Sequence, residues 1–254
     1  MVTAKKKTGT VKVASRATSR TAQKKTEMVE AVKKKPIVSA KKKSVVSVVM
    51  PAYNAARFID EAIHSVLGQS FADFELIVVD DHSTDKTFEV VEQFGDERIR
   101  AIECAKHEGT KKAVNRGIRA SSGKYICFIG AKDLWQPNKL TRQLKYIKEI
   151  DAPFLFASYV FADKKGRPKG KVVRVPEVIS GGLGLRRSWF LPSTVIFDMK
   201  KLGKNDVKLQ EDGLMGVCRK LVEKKGSIHG MTEVMAVCGY DSGLSIFGRW
   251  WRRV

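Results

Sequence analysis

Short apolar runs and amphipathic stretches follow one another along this chain. The clearest apolar run is Leu76–Val79, which is directly followed by Asp80 and Asp81. A short β-branched run without alternation is typical of a strand buried on both faces. The polar residues after it predict a loop leading into a helix that Thr84 or Asp85 caps.

The same succession repeats through the first half of the chain. The pattern predicts strands at 45–50, 76–79, 98–104 and 124–129, and helices at 56–69, 86–94 and 109–120. Strands that alternate with helices predict an α/β fold with a doubly wound, mostly parallel central sheet flanked by helices. Ligands of such sheets bind at the carboxyl ends of the strands, which is where Asp80 and Asp81 lie.

The pattern is weaker in the second half. It predicts a helix at 138–150 with Pro137 in its first turn, a polar turn at 163–170 and a helix at 210–223. Further strands are expected at 152–161, 193–197 and 231–239. Residues 178–189 are rich in glycine and carry no clear period.

Charge divides the chain further. The formal net charge of the 254 residues is +21, and residues 1–44 contribute +12 of it, from 14 Lys and Arg against 2 Glu. Residues 1–43 have almost no large apolar side chains, which predicts a disordered basic tail before a folded domain at 44–245. A basic, aromatic stub follows at 246–254. The tail is expected to be a solvated segment, to contact anionic membrane lipids, or to bind nucleic acid, the least favoured of the three.

Several classes of protein are disfavoured. The four cysteines, at 104, 127, 218 and 238, form no C-x-x-C pair, and the four histidines show no ligand spacing. This pattern argues against a disulfide framework and a zinc site. No apolar run approaches the ~20 residues of a membrane span, and no signal peptide is visible. We expect a soluble, cytoplasmic protein, with peripheral contact at the inner face of the cytoplasmic membrane as an option.

Five motifs occur in a fixed order. They are Pro51–Asn54, Val78–Asp85, Gly109–Ile118, Asp133–Pro137 and Glu211–Asp212. In this order and spacing, over residues 45–245, the chain resembles the family 2 glycosyltransferases, which have the GT-A fold. The resemblance implies transfer of a sugar from a nucleotide diphosphate donor to an acceptor hydroxyl.

The resemblance also assigns roles to individual positions. It implies that the Pro51, Ala52 and Tyr53 segment contacts the base of the donor, with the Tyr53 ring stacked on it. Asp81 is expected to accept a hydrogen bond from that base, which is often uracil in the family. A UDP-sugar is therefore the favoured donor.

Metal and base chemistry are implied in the same way. Asp133 matches the last acid of the family's D-x-D element, which binds Mg²⁺ or Mn²⁺ against the diphosphate, and divalent cations of this kind prefer carboxylate oxygens. Asp212 matches the acid that acts as general base in inverting members. A carboxylate within hydrogen-bond reach suits that role because the acceptor hydroxyl must lose its proton.

The chain departs from the family pattern at the metal motif. Gly130-Ala131-Lys132-Asp133 stands where members commonly read D-x-D-D. Three outcomes stay open: Asp133 and the diphosphate still hold a metal, Lys132 supplies part of the cation charge, or the site is inactive. Val114 also stands where members often have Arg, and Lys111 or Lys112 is a candidate for the missing charge.

The expected function is therefore sugar transfer onto a glycan or lipid-linked acceptor in surface polysaccharide or cell-envelope synthesis. The alternative is a non-catalytic nucleotide-sugar-binding or scaffold protein, held at a membrane or polyanion by the basic tail.

Overall fold

The computed structural model describes residues 44–162, 168–181, 185 and 190–239. The predicted tail at 1–43, the stub at 246–254 and residues 163–167 of the predicted turn lie outside them, so the tail and stub stay predictions. No helix within the described ranges is both long and apolar enough to cross a bilayer.

The described elements confirm the α/β architecture. The strands are β1 (Val46–Ala52), β2 (Phe74–Asp80), β3 (Ile99–Glu103), β4 (Tyr125–Phe128), β5 (Leu134–Trp135), β6 (Phe154–Ala162), β7 (Pro168–Val173), β8 (Val178–Ser180), β9 (Ile196–Asp198) and β10 (Ser227–Cys238). The helices are α1 (Ile59–Leu67), α2 (Thr87–Glu92), α3 (Thr110–Ala120), α4 (Lys139–Glu149), α5 (Lys204–Val207) and α6 (Gly213–Lys225).

Within the described ranges the strands form one sheet of ten, in the order β3-β2-β1-β4-β9-β6-β10-β5, with β7 paired to β6 and β8 to β10. Strands β1 to β4 pair in parallel with one another. Beyond β4 the sheet is mixed, because β9 runs antiparallel to both β4 and β6 while β10 runs parallel to β6.

Two apolar layers cover the sheet. Every residue of β1 and β2 is buried, including the polar Ser47 and Glu75, which are hydrogen-bonded to each other at 2.6 Å. Val48 and Met50 face the layer formed by α1 and α4, whereas Val49 faces the layer formed by α3 and α6. This alternation buries both faces of β1 and makes it the centre of the fold.

Strand β1 runs further than the sequence predicted. We expected a strand at 45–50, but Pro51 still pairs with Val79 inside the ladder between β1 and β2. Val49 accepts a hydrogen bond from Ile129 on the β4 side at 3.1 Å. Since alternate residues face the same neighbour, Pro51 also faces that side, where β4 has already ended. Its missing N–H therefore breaks no ladder bond.

Two predictions in the second half are wrong. Pro168–Gly170 lie in strand β7, which pairs antiparallel with β6, and not in a turn. The strand expected at 193–197 begins only at Ile196, because Pro192–Thr194 form a single 3-10 turn. A proline at the start of such a turn is well placed, since it has no N–H to satisfy there.

Helix α3 lies unusually close to β1. A Cβ atom at Gly117 would lie 2.2 Å from Cγ1 of Val49, so only glycine allows this approach. Asn115 also joins α3 to the segment between α5 and α6. Its side-chain amide donates to Leu209 O and accepts from Leu209 N–H, both at 2.8 Å. These contacts fix α3 against the sheet and against the segment that leads into α6.

A buried polar network lies under the loop that follows β4. The ammonium of Lys139, which is fully buried, donates to Gln143 at 2.6 Å and lies 4.1 Å from the centre of the Trp135 ring. Gln143 in turn donates to Thr194 O, and the Trp135 indole donates to Ser193 O, both at 2.8 Å. Helix α4 is thereby held against the 3-10 turn.

The Lys139 ammonium makes the stability of the fold depend on pH. Burial lowers its pKa from 10.5 to about 8. Between these values the unfolded chain binds more protons than the folded one, so the free energy of unfolding rises with pH, by at most ~1.4 kcal/mol per pH unit. We expect Lys139→Met to remove this rise, as measured by urea unfolding between pH 7.5 and 10.

Lys145→Met is the matched control, because Lys145 lies on the same helix with a side chain that is 79% exposed. It should keep the slope of the wild type. Equal slopes for Lys139→Met and the wild type would contradict the assignment of the rise to Lys139.

Candidate active site

The sheet order places a crevice beside β1. This strand pairs with β2 on one side and with β4 on the other, so the order of the strands reverses there. Ligands of open α/β sheets bind at such a switch point, outside the carboxyl ends of the strands. The loops that follow β1 to β4 all leave the sheet at this edge.

The loops after β1 and β2 are bound to each other by polar side chains. The Asn54 N–H donates to Ser83 Oγ at 2.9 Å, and Thr84 N–H donates to Asn54 Oδ1 at 2.8 Å. Ser83 also donates through its N–H and its hydroxyl to the buried carboxylate of Asp80. Asn54, Ser83 and Thr84 therefore hold the loops after β1 and β2 against each other, a role that the sequence did not predict.

The left-handed backbone at His82 fits the same turn. Its φ is 63°, in the left-handed region where glycine is favoured. Three residues on, the Asp85 carboxylate accepts the N–H of Ala56 at 3.1 Å and that of Thr87 at 3.0 Å. Asp85 thus joins the start of α2 to the loop after β1.

Asp81 organises the loop after β3. Its carboxylate, which is 1% exposed, accepts the backbone N–H groups of Glu108 at 3.0 Å and Gly109 at 2.7 Å. Nδ1 of His107 lies 2.9 Å from the same carboxylate. The His107 ring packs on the ring of Tyr53 with centroids 4.0 Å apart and planes at 30°.

The residues predicted to hold the base are therefore brought together. Pro51 and Ala52 end β1, and Tyr53 and Asp81 meet through His107. A carboxylate has about four lone-pair sites, so Asp81 retains capacity for a further donor. Sequence reasoning missed His107, whose one signal was its position in the loop after a parallel strand.

The start of α6 lies beside the start of α3. Lys111 Nζ lies 2.6 Å from Glu211 Oε1, so the predicted donor-binding lysine contacts the residue next to Asp212. Asp212 is the N-cap residue of α6, and its side chain makes no capping hydrogen bond. Its carboxylate instead accepts from Arg219 at 2.9 Å and is more than half exposed.

The loop after β4 holds Asp133 in place. Ser193 donates its hydroxyl to Asp133 Oδ2, and the Gly239 N–H donates to Oδ1 at 2.9 Å. Ser193 also accepts the N–H of Gly130 at 3.0 Å. Burial raises the pKa of the Asp133 carboxyl, against the opposing effect of these hydrogen bonds. Asp133 therefore ties its loop to the 3-10 turn and to the end of β10.

The side chain of Lys132, in the same loop, reaches the loop after β1. Its ammonium is 4.8 Å from the centre of the Phe58 ring, which belongs to the loop after β1. The contact joins the loops that follow the two strands flanking the switch point.

The metal prediction receives little support from this geometry. The described ranges contain no group of three or more His, Cys, Asp or Glu that could hold a metal ion. Asp133, the predicted ligand, accepts one hydrogen bond at each oxygen, from Ser193 and from the Gly239 N–H, and burial raises the pKa of its carboxyl. Among the described side chains, the Asp133 carboxylate is therefore the one predicted ligand at this position, and the other ligands of a divalent cation would be diphosphate oxygens and water.

Relatives of the chain were identified by sequence. The model of the family "Glycosyl transferase family 2" matches residues 47–223. The chain is 31% identical over 197 residues to the "Putative teichuronic acid biosynthesis glycosyltransferase TuaG" of Bacillus subtilis (strain 168), covering 76% of this chain and 77% of that protein. It is 36% identical over 115 residues to the Escherichia coli UDP-Glc:alpha-D-GlcNAc-diphosphoundecaprenol beta-1,3-glucosyltransferase WfgD, covering 45% of this chain and 46% of that protein.

Solved structures share the fold. S. aureus TarS 1-349 in complex with UDP-GlcNAc superimposes with a TM-score of 0.65 at 20% identity, covering 80% of this chain and 60% of that one. The mannosyltransferase PcManGT from Pyrobaculum calidifontis, in complex with GDP-Man and Mn²⁺, gives a TM-score of 0.56 at 17% identity, covering 93% and 73%. Because the family model spans well over half of the chain, this protein is a member of glycosyltransferase family 2 with the GT-A fold.

Proposed function

We propose that this glycosyltransferase moves a sugar from a UDP-sugar to a hydroxyl of a lipid-linked or polysaccharide acceptor in cell-envelope synthesis. The observation that carries the proposal is the cluster of Tyr53, His107 and Asp81 at the switch point of the sheet. An aromatic ring beside a buried carboxylate suits a flat base that carries an N–H donor, such as uracil.

The choice of donor and acceptor is supported by the relatives. One of them is named as a UDP-Glc transferase that acts on a diphosphoundecaprenol-linked sugar, and another belongs to teichuronic acid biosynthesis. A structural neighbour binds UDP-GlcNAc. Two of these three proteins are thus named with a uridine nucleotide, and two are named with a lipid-linked sugar or a cell-envelope polysaccharide.

Asp212 is the proposed general base. Its carboxylate lies at the start of α6, at the edge of the site that Lys111 and Glu211 connect to the loop after β3. Arg219, about two helical turns further on, donates one hydrogen bond to the carboxylate. The carboxylate can take the proton of the acceptor hydroxyl as that oxygen attacks the anomeric carbon from the face opposite the departing UDP, with inversion.

Substituting Tyr53 tests the proposed nucleobase site. Stacking of a base on an aromatic side chain is worth ~1–3 kcal/mol, so Tyr53→Ala should weaken UDP binding by about tenfold to a hundredfold. Tyr53→Phe keeps the ring and should bind UDP like the wild type. Both affinities are measured by isothermal titration calorimetry. UDP binding by Tyr53→Ala at wild-type strength would contradict the placement of the base.

Substituting Asp212 tests the chemistry. Asp212→Asn keeps the shape of the side chain but removes the base, so we expect turnover of UDP-sugar to fall by about a hundredfold or more with UDP affinity unchanged. The matched control is Asp60→Asn, on the exposed side of α1, which should keep full turnover. Turnover is followed by UDP release in the presence of lipid-linked acceptor.

The same assay decides between the enzyme and the scaffold alternative, which the altered Gly130–Asp133 motif favours. A scaffold would bind UDP-sugars while the wild type and Asp212→Asn both show no turnover. Equal, measurable turnover in the two would instead reject Asp212 as the base.

The basic segment at 1–43 suits contact with the membrane that would carry a lipid-linked acceptor. Each cation near an anionic bilayer contributes ~1 kcal/mol, and residues 1–44 carry a net +12. We expect the full chain to sediment with vesicles that contain acidic phospholipid, less so as salt increases, and to stay free of neutral vesicles. Equal binding to neutral and acidic vesicles would exclude attachment by charge.

A further inference from the structure

Three consecutive residues just before α6 are each contacted by a different basic side chain. The contacts are Lys220 to Gln210 Oε1 at 2.8 Å, Lys111 to Glu211 Oε1 at 2.6 Å, and Arg219 to Asp212 Oδ2 at 2.9 Å. Three cations thus surround two carboxylates, so the cluster around the proposed general base keeps an excess of positive charge. An anionic part of a substrate is therefore favoured here.

The side chain of Asp212 lies back along α6. Position 216 of this helix is a glycine, and a Cβ atom there would lie 3.0 Å from Cβ of Asp212. Gly216 therefore leaves room for Asp212, which makes no capping hydrogen bond and instead accepts from Arg219 through Oδ2. A carboxylate has several lone-pair sites, so Asp212 can hold Arg219 and still accept a hydrogen bond from an acceptor hydroxyl.

Arg219 has binding capacity beyond this contact. A guanidinium carries several N–H donors in a planar fork, and the bond to Asp212 uses one of them. The Arg219 side chain is 53% exposed, so a solute can reach the fork. Pairs of phosphate oxygens fit such a fork through parallel hydrogen bonds. Arg219 can therefore bind a phosphate while it stays bonded to Asp212.

The proposed reaction indicates which phosphate this is. The attacking hydroxyl must lie within hydrogen-bond reach of Asp212, and Arg219 lies one further hydrogen bond, 2.9 Å, beyond the carboxylate. Two hydrogen bonds placed end to end span about the width of one sugar ring. In a lipid-linked acceptor the same ring carries the hydroxyl on one side and the diphosphate on the other. Its diphosphate therefore falls beside Arg219, whereas a polysaccharide end has another sugar there.

Lys220 provides a second cation next to Arg219 in the chain. Its ammonium bonds to the side chain of Gln210, a neutral acceptor, so that contact does not neutralise its charge. An ammonium in this position has further donors for an anion. Lys111, by contrast, is paired with the carboxylate of Glu211. Arg219 and Lys220 are therefore the cations on the α6 side of the proposed base that suit a diphosphate.

We propose, on the basis of the function proposed above, that Arg219 with Lys220 binds the diphosphate of the acceptor, and that the acceptor is therefore a lipid-linked sugar diphosphate. The acceptor diphosphate is held and not broken. The new bond joins the acceptor hydroxyl oxygen to the anomeric carbon of the donor, the proton of that hydroxyl passes to Asp212, and the electron pair of the broken bond leaves with UDP. Arg219 thus binds the acceptor so that its hydroxyl lies at Asp212.

Acceptors that differ only in the diphosphate test the inference. N-acetylglucosamine, glucose and galactose are each supplied as the diphosphate of a short alkyl chain and as the alkyl glycoside without phosphate, with UDP-sugars as donors. UDP release gives kcat/KM for each pair. The wild type should prefer the diphosphate form by about tenfold to a hundredfold, and Arg219→Gln should lose most of this preference, as expected for hydrogen bonds to a charged group. A loss common to both forms reports the contact with Asp212, so the ratio isolates the diphosphate.

Three further variants complete the experiment. Arg219→Lys keeps the charge without the fork and should retain part of the preference, and Lys220→Gln should lower the preference by a smaller factor than Arg219→Gln. Lys225→Gln removes an exposed cation from the last turn of the same helix and should keep the wild-type ratio, which controls for the loss of net charge. The UDP affinity of Arg219→Gln, measured by calorimetry, should equal that of the wild type. Thermal unfolding of each variant checks that the fold is retained.

The outcomes separate this inference from the proposed function. A wild type that uses both acceptor forms equally, or an unchanged preference in Arg219→Gln, overturns the acceptor diphosphate site but leaves the transfer from a UDP-sugar standing. A fall in the UDP affinity of Arg219→Gln assigns the guanidinium to the donor diphosphate and overturns the inference as well. Failure of the wild type to bind any uridine nucleotide, or to turn over any donor with any of the acceptors, overturns the proposed function and the inference with it.

Discussion

The site depends on one buried carboxylate. Burying an ionised Asp is costly unless donors surround it, and Asp81 has the N–H groups of Glu108 and Gly109 and the ring of His107. Satisfying Asp81 therefore requires the loop after β3 to fold back over the end of β2. The same bonds place His107 on Tyr53 and set where α3 begins, and with it Lys111. The proposed nucleobase site and the contact between the starts of α3 and α6 thus both depend on the hydrogen bonds of the buried Asp81 carboxylate.

The sequence predicted the first half of the fold, where each strand can be recognised from its own residues. Parallel strands buried on both faces leave unbroken apolar runs, so β1, β2 and β4 were recognisable, as was the edge at which their loops meet. The mixed half was less predictable, because strand direction there depends on partners far apart in the chain. Strand β9, of three residues, runs antiparallel between β4 and β6, and its length alone carries no signal.

The site was predicted unevenly for a related reason. The motif positions identified Tyr53 and Asp81, and the structure joins them through His107. What Asp133 does depends on Ser193 and Gly239, which lie 60 and 106 residues away along the chain. No local pattern reports such partners. The sequence therefore predicted a metal ligand at Asp133 but not the part that its carboxylate plays in holding its own loop.

The side-chain amide of Asn115 connects the region proposed to bind the nucleotide with the region proposed to bind the acceptor. Asn115 hydrogen-bonds both the carbonyl and the N–H of Leu209 in the interior. These bonds join α3, which starts near the proposed nucleobase site, to the segment that leads to Asp212. Separating α3 from this segment would leave the N–H and the carbonyl of Leu209 and the side-chain amide of Asn115 buried without hydrogen bonds. The proposed nucleotide site and the segment that leads to the proposed general base are consequently joined through the interior, so their relative placement does not depend on a bound nucleotide.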